Sequence, residues 1–199
     1  MAVVLTLDQR ASRGATDRVS EWSDLLNRAH GDRLRLPFVR SAGDELQGVL
    51  GDADALADIV AESMGDGGWW LGIGVGPVDR FGETARDSQG PAFWHARKAV
   101  EAAKTRAHPQ PVAVVGEPED DAAALGDALT ALAFLTLRRT PEQSESVQLL
   151  RGGMKNKDIA AHLAVSPAAI SQRLRGAGAE EEAGLRRLIT SIASRLVDP

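Results

Sequence analysis

Residues 155–175, KNKDIAAHLAVSPAAISQRLR, constrain the fold of this chain more than any other stretch. Apolar residues at helical spacing give the first half one buried face, formed by Ile159, Ala160 and Leu163. Ser166 and Pro167 then have the residue types favoured as N-cap and first residue of a new helix. The sequence therefore predicts two short helices that meet at a tight turn, with the small apolar residues Ala164 and Val165 at the corner.

The second predicted helix has an apolar side and a polar side. Ile170 and Leu174 face inward at helical spacing. The residues left on the outside are Pro167, Ala168, Ser171, Gln172, Arg173 and Arg175. Gln and Arg can each make two hydrogen bonds to a base edge, and small residues allow close approach to a DNA groove. An ordinary helical hairpin packed in a core is the alternative interpretation.

The segment IAAHLAVSPAAISQRL resembles the helix-turn-helix of bacterial transcription regulators. The resemblance implies that double-stranded DNA is a partner. Lys155 and Lys157 are then expected on phosphates, and Ser171, Gln172 and Arg173 on bases. The full predicted DNA-binding set is Lys155, Lys157, Ser166, Ala168, Ser171, Gln172, Arg173 and Arg175. A helix-turn-helix that binds a protein partner instead is a second alternative.

Composition limits the class of protein. The 199 residues are 43% apolar and 26% charged, which is typical of a globular protein with a buried core. The chain has no cysteine, so disulfides and thiolate zinc sites are excluded. No apolar run approaches the roughly 18 residues that span a bilayer, and the N-terminus lacks a secretory pattern. We therefore expect a cytoplasmic protein with no membrane partner.

The net charge of -5 is distributed unevenly along the chain. From Arg138 onward there are 10 basic and 7 acidic residues, net +3, whereas residues 1–137 carry net -8. A mildly basic C-terminal part on an acidic body fits a DNA-binding unit attached to another domain. The small positive charge predicts binding that salt weakens readily.

The first part of the chain alternates predicted strands and helices. Aliphatic or alternating runs predict strands at 2–7, 33–41, 45–50, 69–75 and 111–115. Helical spacing and turn residues predict helices at 16–29, 52–67 and 90–106. The order favours an α/β sandwich with a sheet covered on one face. The glycines in WWLGIGV predict a bulge, or another backbone or a ligand close to that strand.

The rest of the chain is predicted to be helical, giving three parts: a domain at 1–116, a linker and connector helix at 117–140, and a domain at 141–199. The connector is too apolar to stand alone. It packs either within the chain or against a second copy, and the common use of two half-sites by helix-turn-helix proteins favours a homodimer. Residues 180–197 are expected to cover the helix-turn-helix from its far side.

Three carboxylates are the best candidates for chemistry outside the DNA-binding part. Asp8 ends the first predicted strand, and Asp44 and Glu45 lie at the predicted hairpin, so the three should converge at one edge of the sheet. Converging carboxylates repel unless a cation lies between them, and Mg²⁺ with substrate phosphates is a common solution. Asp44 beside Gly43 could equally serve only the turn.

The order of Asp8, SAGDELQGVL, LGIGVGPV and GPAFWHARKAVEAA resembles the catalytic domain of class III nucleotidyl cyclases and, more distantly, of GGDEF diguanylate cyclases. It is closer to bacterial SatD-type proteins, which carry a cyclase-like domain ahead of a C-terminal helix-turn-helix. The resemblance covers nearly the whole chain. It implies an α/β fold: a ferredoxin-like, cyclase-type sandwich followed by an all-α helix-turn-helix domain.

The resemblance also implies roles for particular residues. Asp8 and Asp44 match the cyclase metal carboxylates, and Arg97 matches the transition-state arginine, although a surface ion pair with Glu101 explains Arg97 equally well. The implied ligand site is Asp8, Asp44, Glu45 and Arg97, with Mg²⁺ and a nucleotide or other phosphorylated ligand.

The chain also departs from the cyclase pattern. Phe93 stands where cyclases have an Asn, Phe38 stands near the place of the base-selecting Lys, and Ala42 precedes Gly43 where GGDEF enzymes have a glycine pair. A domain without these groups can hold a ligand but should turn over poorly. The sequence thus predicts a regulator with a sensor domain, and an active nucleotidyl cyclase is the alternative.

Overall fold

The computed structural model describes residues 1–11, 16–105 and 110–197. Its strands are β1 (Ala2–Gln9), β2 (Leu34–Ala42), β3 (Glu45–Leu50), β4 (Trp69–Gly76) and β5 (Val112–Gly116). Its helices are α1 (Val19–His30), α2 (Asp54–Asp66), α3 (Pro91–Ala103), α4 (Glu119–Leu137), α5 (Pro141–Arg151), α6 (Asn156–His162), α7 (Pro167–Gly176) and α8 (Ala179–Ala193). The expected mixed α/β fold is confirmed. The predicted end of the third helix, near residue 106, lies outside the described residues.

β1 is the central strand of the sheet, whose order is β2-β3-β1-β4-β5. It pairs antiparallel with β3 and with β4, and β5 joins β4 in parallel. All eight residues of β1 are buried, which explains its run of aliphatic side chains. The hairpin predicted from the sequence is confirmed as the antiparallel pair β2 and β3.

Helices lie on both faces of the sheet, so the prediction of a sheet covered on one face is wrong. Val3, Leu5 and Leu7 point from β1 into the main core with α1, α2 and α4. The alternate residues Ala2 and Val4 pack on the other face with α3 and the loop before it.

Two glycines of β4 explain why α3 can cover the second face. A Cβ on Gly74 would lie 2.1 Å from the Ala92 carbonyl oxygen, and one on Gly72 would lie 2.2 Å from the Val100 nitrogen. The helix backbone therefore rests directly on the strand, which confirms the backbone approach that the glycine-rich sequence predicted.

α4 packs within the chain, one of the alternatives that the sequence left open. Leu125, Leu129 and Leu132 are fully buried in the main core, where α4 contacts α2, β5 and α8. The expectation that residues 180–197 cover the helix-turn-helix holds only for the start of α8, which contacts α7, because Ile189 and Ile192 join this same core. α8 therefore returns the end of the chain to the sheet.

α5, α6 and α7 form a separate small core. Its buried members are Val147, Ile159, Ala160, Ile170, Leu174 and Ala177. α5 begins with a complete capping box, in which Thr140 and Gln143 each satisfy the other's backbone N–H. In the part of the chain that the structure describes, no helix has both the length and the apolar character needed to cross a membrane.

Candidate nucleic-acid interface and ligand site

A tight corner joins α6 to α7. Ala164 has a φ of 53°, in the left-handed region, which costs an alanine roughly 1–2 kcal/mol. The Val165 N–H closes the turn by donating to the Ala160 carbonyl at 3.0 Å. The Ser166 hydroxyl accepts from the Ala169 N–H at 3.1 Å, and Pro167 occupies the first turn of α7. The turn and the N-cap therefore lie where the sequence predicted them.

The outward face of α7 presents a few side chains suited to a groove. Ile170 and Leu174 are buried beneath it, whereas Ala168, Gln172 and Arg175 are exposed. At 100° per residue, Gln172 lies opposite the buried pair, with Ala168 and Arg175 beside it. The Gln172 amide and the Arg175 guanidinium thus lie on either side of Ala168, whose side chain is a single methyl group.

Two other predicted DNA-binding residues of α7 lie to the sides of this face. The exposed Ser171 donates its hydroxyl to the Pro167 carbonyl at 3.1 Å. Arg173 is half-buried and borders a hollow shared with Thr140 and Glu142. The pKa of Glu142 is lowered by hydrogen bonds from the Thr140 side chain and from the backbone, and further by the charge of Arg173. Arg173 therefore faces α5 more than solvent.

Both predicted phosphate contacts are exposed at the start of α6. Lys155 is the N-cap residue and Lys157 lies in the first turn. Beyond α7, Glu180 borders the same hollow as Arg175, so the charge at that end is mixed. Two lysines therefore lie at the start of α6 beside the exposed Asp158, and Arg175 lies on the exposed side of α7.

The second candidate site lies on the sheet face that carries α3. Asp8 of β1 is the register partner of Glu45 of β3, which confirms that these two carboxylates converge. Lys104, just after α3, places its Nζ 2.8 Å from an Asp8 oxygen and 2.8 Å from Glu101. Arg97 of α3 lies 3.7 Å from Glu45, so its partner is Glu45 rather than the Glu101 of the alternative interpretation.

Sequence reasoning missed Lys104, although a topological signal existed. A helix that follows a strand and packs on it runs back along that strand. The C-terminal end of α3 therefore returns to the start of β4, where Trp70 is the register partner of Asp8. A lysine just after this helix is consequently brought to the carboxylate.

Burial disfavours the ionised form of both Asp8 and Glu45. Burial raises the pKa of Asp8, Lys104 opposes this through a hydrogen bond and its charge, and nearby Asp44 adds to the rise. Burial also raises the pKa of Glu45 against the opposing charge of Arg97. Carboxyl groups whose pKa values are raised by burial beside a charged partner are often found at functional sites.

The side chains around Asp8 match the ligand requirements of Mg²⁺ poorly. Across the described ranges, no three His, Cys, Asp or Glu side chains are grouped so that they could hold a metal ion. Lys104 already neutralises Asp8 at 2.8 Å. With Lys104 in place these residues do not fit Mg²⁺, and Mg²⁺ at Asp8 and Asp44 stays a prediction that requires the lysine to move.

A network of ion pairs connects α2 of the sheet domain with α5 and α8. Glu182 of α8 is only 1% exposed and lies 2.6 Å from Arg139 and 2.5 Å from Arg186. Asp58 of α2 pairs with Arg186 at 2.7 Å and also with Arg151 of α5.

This network ends at α7. Arg139 donates from Nε and from its terminal nitrogen to the Ala177 carbonyl, at 3.0 and 2.9 Å. Ala177 is the C-cap residue of α7. Arg33 extends the network at the other end by pairing with Asp58 at 3.1 Å. The position of α7 is thus connected to the sheet domain through charged side chains. The amino-acid sequence does not indicate this network, because its partners are far apart in the chain.

Glu45→Gln is expected to raise the melting temperature at pH 7 by about 1–3 °C. Because burial raises the pKa of Glu45 in the folded state, its contribution to stability is full below the unfolded pKa and is lost as pH rises through the folded pKa. A glutamine stays neutral at every pH, so the variant does not lose this stability as pH rises. Arg97, with a side chain 61% exposed, gives up little in return. Melting curves from pH 3.5 to 8 check this, and a variant less stable than wild type at pH 7 would contradict it.

Comparison with protein-family models, curated proteins and solved structures finds no match for this chain.

Proposed function

We propose that this chain is a DNA-binding transcription regulator in which α7 reads base edges in the major groove. The observation that carries the proposal is the outward face of α7, where Gln172 and Arg175 flank Ala168 on a capped helix after a tight turn. Gln pairs with adenine and Arg with guanine through two hydrogen bonds each. Lys155 and Lys157 bind the adjoining phosphates and set the register.

The roles of the flanking residues follow from their positions. Ser166 caps α7 and keeps its first turn close to the backbone of the duplex. Ser171 and Arg175 border the hollow between α7 and α8. Arg173 supports α7 from the side of α5, where its charge faces Glu142. Gln172 and Arg175 therefore carry the base specificity, and Arg173 contributes less than its sequence position suggested.

The sheet domain is proposed to be a cyclase-like sensor, and the chain to be related to SatD-type proteins. The succession β1, α1, β2, β3, α2, β4, α3 and β5 supports this, as does the pairing of Asp8 with Glu45 beside Arg97. The sensor binds a nucleotide or another phosphorylated ligand. Phosphate oxygens compete with Glu45 and Asp8 for Arg97 and Lys104, because a phosphate offers both cations more acceptor oxygens.

Binding is favoured over catalysis at this site. A metal-dependent nucleotidyl cyclase needs its carboxylates free for the ion, and here Lys104 lies on Asp8. The alternative of an active cyclase is tested by incubating the chain with ATP or GTP and Mg²⁺. Pyrophosphate that disappears in Asp44→Ala would favour the enzyme over the sensor.

The ligand is proposed to act on DNA binding through the ion-pair network. α2, α5 and α8 meet at Asp58 and Glu182, and Arg139 carries the connection to the C-cap of α7. A change in the sheet domain that moves α2 therefore changes the position of the reading helix. This is a coupling between two distinct sites.

Gln172→Ala and Arg175→Ala are each expected to cost about 1–3 kcal/mol on the preferred DNA and to relax preference at one base pair. Lys157→Ala should instead weaken all duplexes about equally and reduce the salt dependence by about one ion. Fluorescence anisotropy with the selected duplex and single-base variants measures both effects. Arg187→Ala, an exposed basic change on α8, is the control of matched charge.

Equal losses on every duplex for all of these variants would contradict base reading by α7. A chain that binds no duplex at low salt but captures a protein through the same face would favour the protein-interaction alternative.

A further inference from the structure

α4 has a second, outward strip that the main core does not use. Its residues recur at spacings of four and three, so they lie on one side of the helix, opposite the buried leucines. They are Asp120, Ala124, Asp127, Ala131, Phe134 and Arg138. Phe134 is 47% exposed, and the Arg138 guanidinium lies 5.0 Å from the centre of its ring. The strip is thus acidic at one end, small in the middle, and aromatic and basic at the other end.

We propose that this strip is a homodimer interface in which two copies of α4 pack antiparallel about a two-fold axis at the level of residue 129. In that register Asp120 faces the partner's Arg138, and Phe134 faces the partner's Ala124. Asp127 faces the partner's Ala131 and the neighbouring Thr130, whose hydroxyl can donate to it. Every contact occurs twice, as an interface with two-fold symmetry requires.

The charge order selects a second copy in this orientation. A parallel pair would place Asp120 against Asp120, Asp127 against Asp127 and Arg138 against Arg138, which is unfavourable at each position. The antiparallel pair brings together opposite charges at both ends and an aromatic ring with a small side chain between them. A strip that complements itself in one orientation fits another copy of this chain.

The surface beside the strip is shaped to receive apolar groups. Ala131, Phe134 and Leu135 of α4 and Leu185 of α8 line a hollow of about 450 Å³. Leu137 at 39% and Leu188 at 50% are exposed on the same two helices. Large exposed apolar side chains grouped on a protein surface often mark an interface.

The arrangement also gives a spacing for the DNA-binding parts, and this step rests on the proposed function. From the level of residue 129 to the end of α4 at Leu137 is about 12 Å of helix, so the two C-terminal ends lie about 24 Å apart along the helix axes. Helix-turn-helix dimers read half-sites about 34–36 Å apart. Because α5 follows α4 within a few residues, the proposed dimer places its two helix-turn-helix units toward opposite ends of the paired α4 helices, as two half-sites on one duplex require.

The test is sedimentation of the full chain without DNA. The wild type is expected to be a dimer at micromolar concentration. Asp120→Arg and Arg138→Asp each put like charges at both ends of the interface, and each should raise the dissociation constant at least about tenfold. An equimolar mixture of the two single variants should restore association, because one then carries basic residues at both positions and the other acidic residues at both. Phe134→Ser should also be monomeric, with melting curves to show that the exposed change leaves the fold intact.

A wild type that stays monomeric overturns the inference, as does a mixture that associates no better than its components. Because no DNA is present, the result is independent of DNA binding. A dimer that binds no operator would overturn the proposed function alone, and a monomer that binds one would overturn this interface alone.

Discussion

Glu182→Ala is expected to lower the free energy of unfolding by about 3 kcal/mol or more, the usual cost of removing one partner from a buried ion pair. Glu182 is 1% exposed and lies 2.6 Å from Arg139 and 2.5 Å from Arg186, so its loss leaves the buried Arg139 and the partly buried Arg186 without their shared carboxylate. Urea denaturation at pH 7 measures the change. Glu181→Ala, an exposed change one residue earlier in α8, should stay within about 0.5 kcal/mol of wild type.

The stability lost in Glu182→Ala is expected to depend on pH, and the direction follows from the pKa of Glu182. Burial alone would raise the pKa of Glu182, but the charges and hydrogen bonds of Arg186 and Arg139 lower it below its usual range. A lowered folded pKa means that stability is present above the unfolded pKa and is lost as pH falls through the folded pKa. The difference in the free energy of unfolding between wild type and Glu182→Ala should therefore be largest at neutral pH and should become smaller in acid. A gap that is small at pH 7, or that grows in acid, would contradict the role given to the network.

Gly74→Ala is expected to destabilise the fold by about 3 kcal/mol or more, because the new methyl group meets backbone atoms rather than a flexible side chain. Its Cβ would lie 2.1 Å from the Ala92 oxygen and 2.2 Å from the Ala96 nitrogen. α3 would have to lift from β4, which also displaces Arg97 and Lys104 from Glu45 and Asp8 in the proposed ligand site. Thermal unfolding and the anisotropy of a bound fluorescent nucleotide measure the two effects.

Gly126→Ala in α4 is the matched control for this prediction. There a Cβ meets only the Val114 side chain at 3.6 Å, an ordinary contact, and the change should stabilise the helix by about 0.5–1 kcal/mol. If Gly74→Ala melted with the wild type, the close packing of α3 on β4 would be wrong.

The sequence predicted those parts of the fold whose causes are local. β1 is a run of aliphatic residues, β4 shows its close contact through glycines, and the α6 to α7 corner shows its cap through Ser166 and Pro167. The sequence did not predict that helices cover both faces of the sheet, because α3 has one apolar side whichever face it packs on. The place of α8 was missed because Ile189 and Ile192 show that a face is buried but not against which neighbour.

The candidate sites divide in the same way. The pairing of Asp8 with Glu45 follows from strand order, which the sequence supports, and the exposure of Gln172 follows from helical spacing. Lys104 depends on the direction in which α3 returns along β4. The Asp58 and Glu182 network joins residues up to 128 positions apart, and a charged residue in a sequence does not indicate its distant partner. Arg173 was expected on the outer face because helical spacing does not show that α5 lies beside it.

DNA cleavage by a reagent attached to α7 measures directly whether this helix lies in a duplex groove. The chain has no cysteine, so Ala168→Cys carries the only reactive thiol and can be labelled with a DNA-cleaving reagent. With a duplex selected from a random pool, we expect cleavage confined to a few base pairs of the preferred site. Ser20→Cys on α1, exposed and remote in the sequence, should give none. Cleavage from Ala168→Cys that is no stronger than from Ser20→Cys, or that is spread evenly along the duplex, would contradict it.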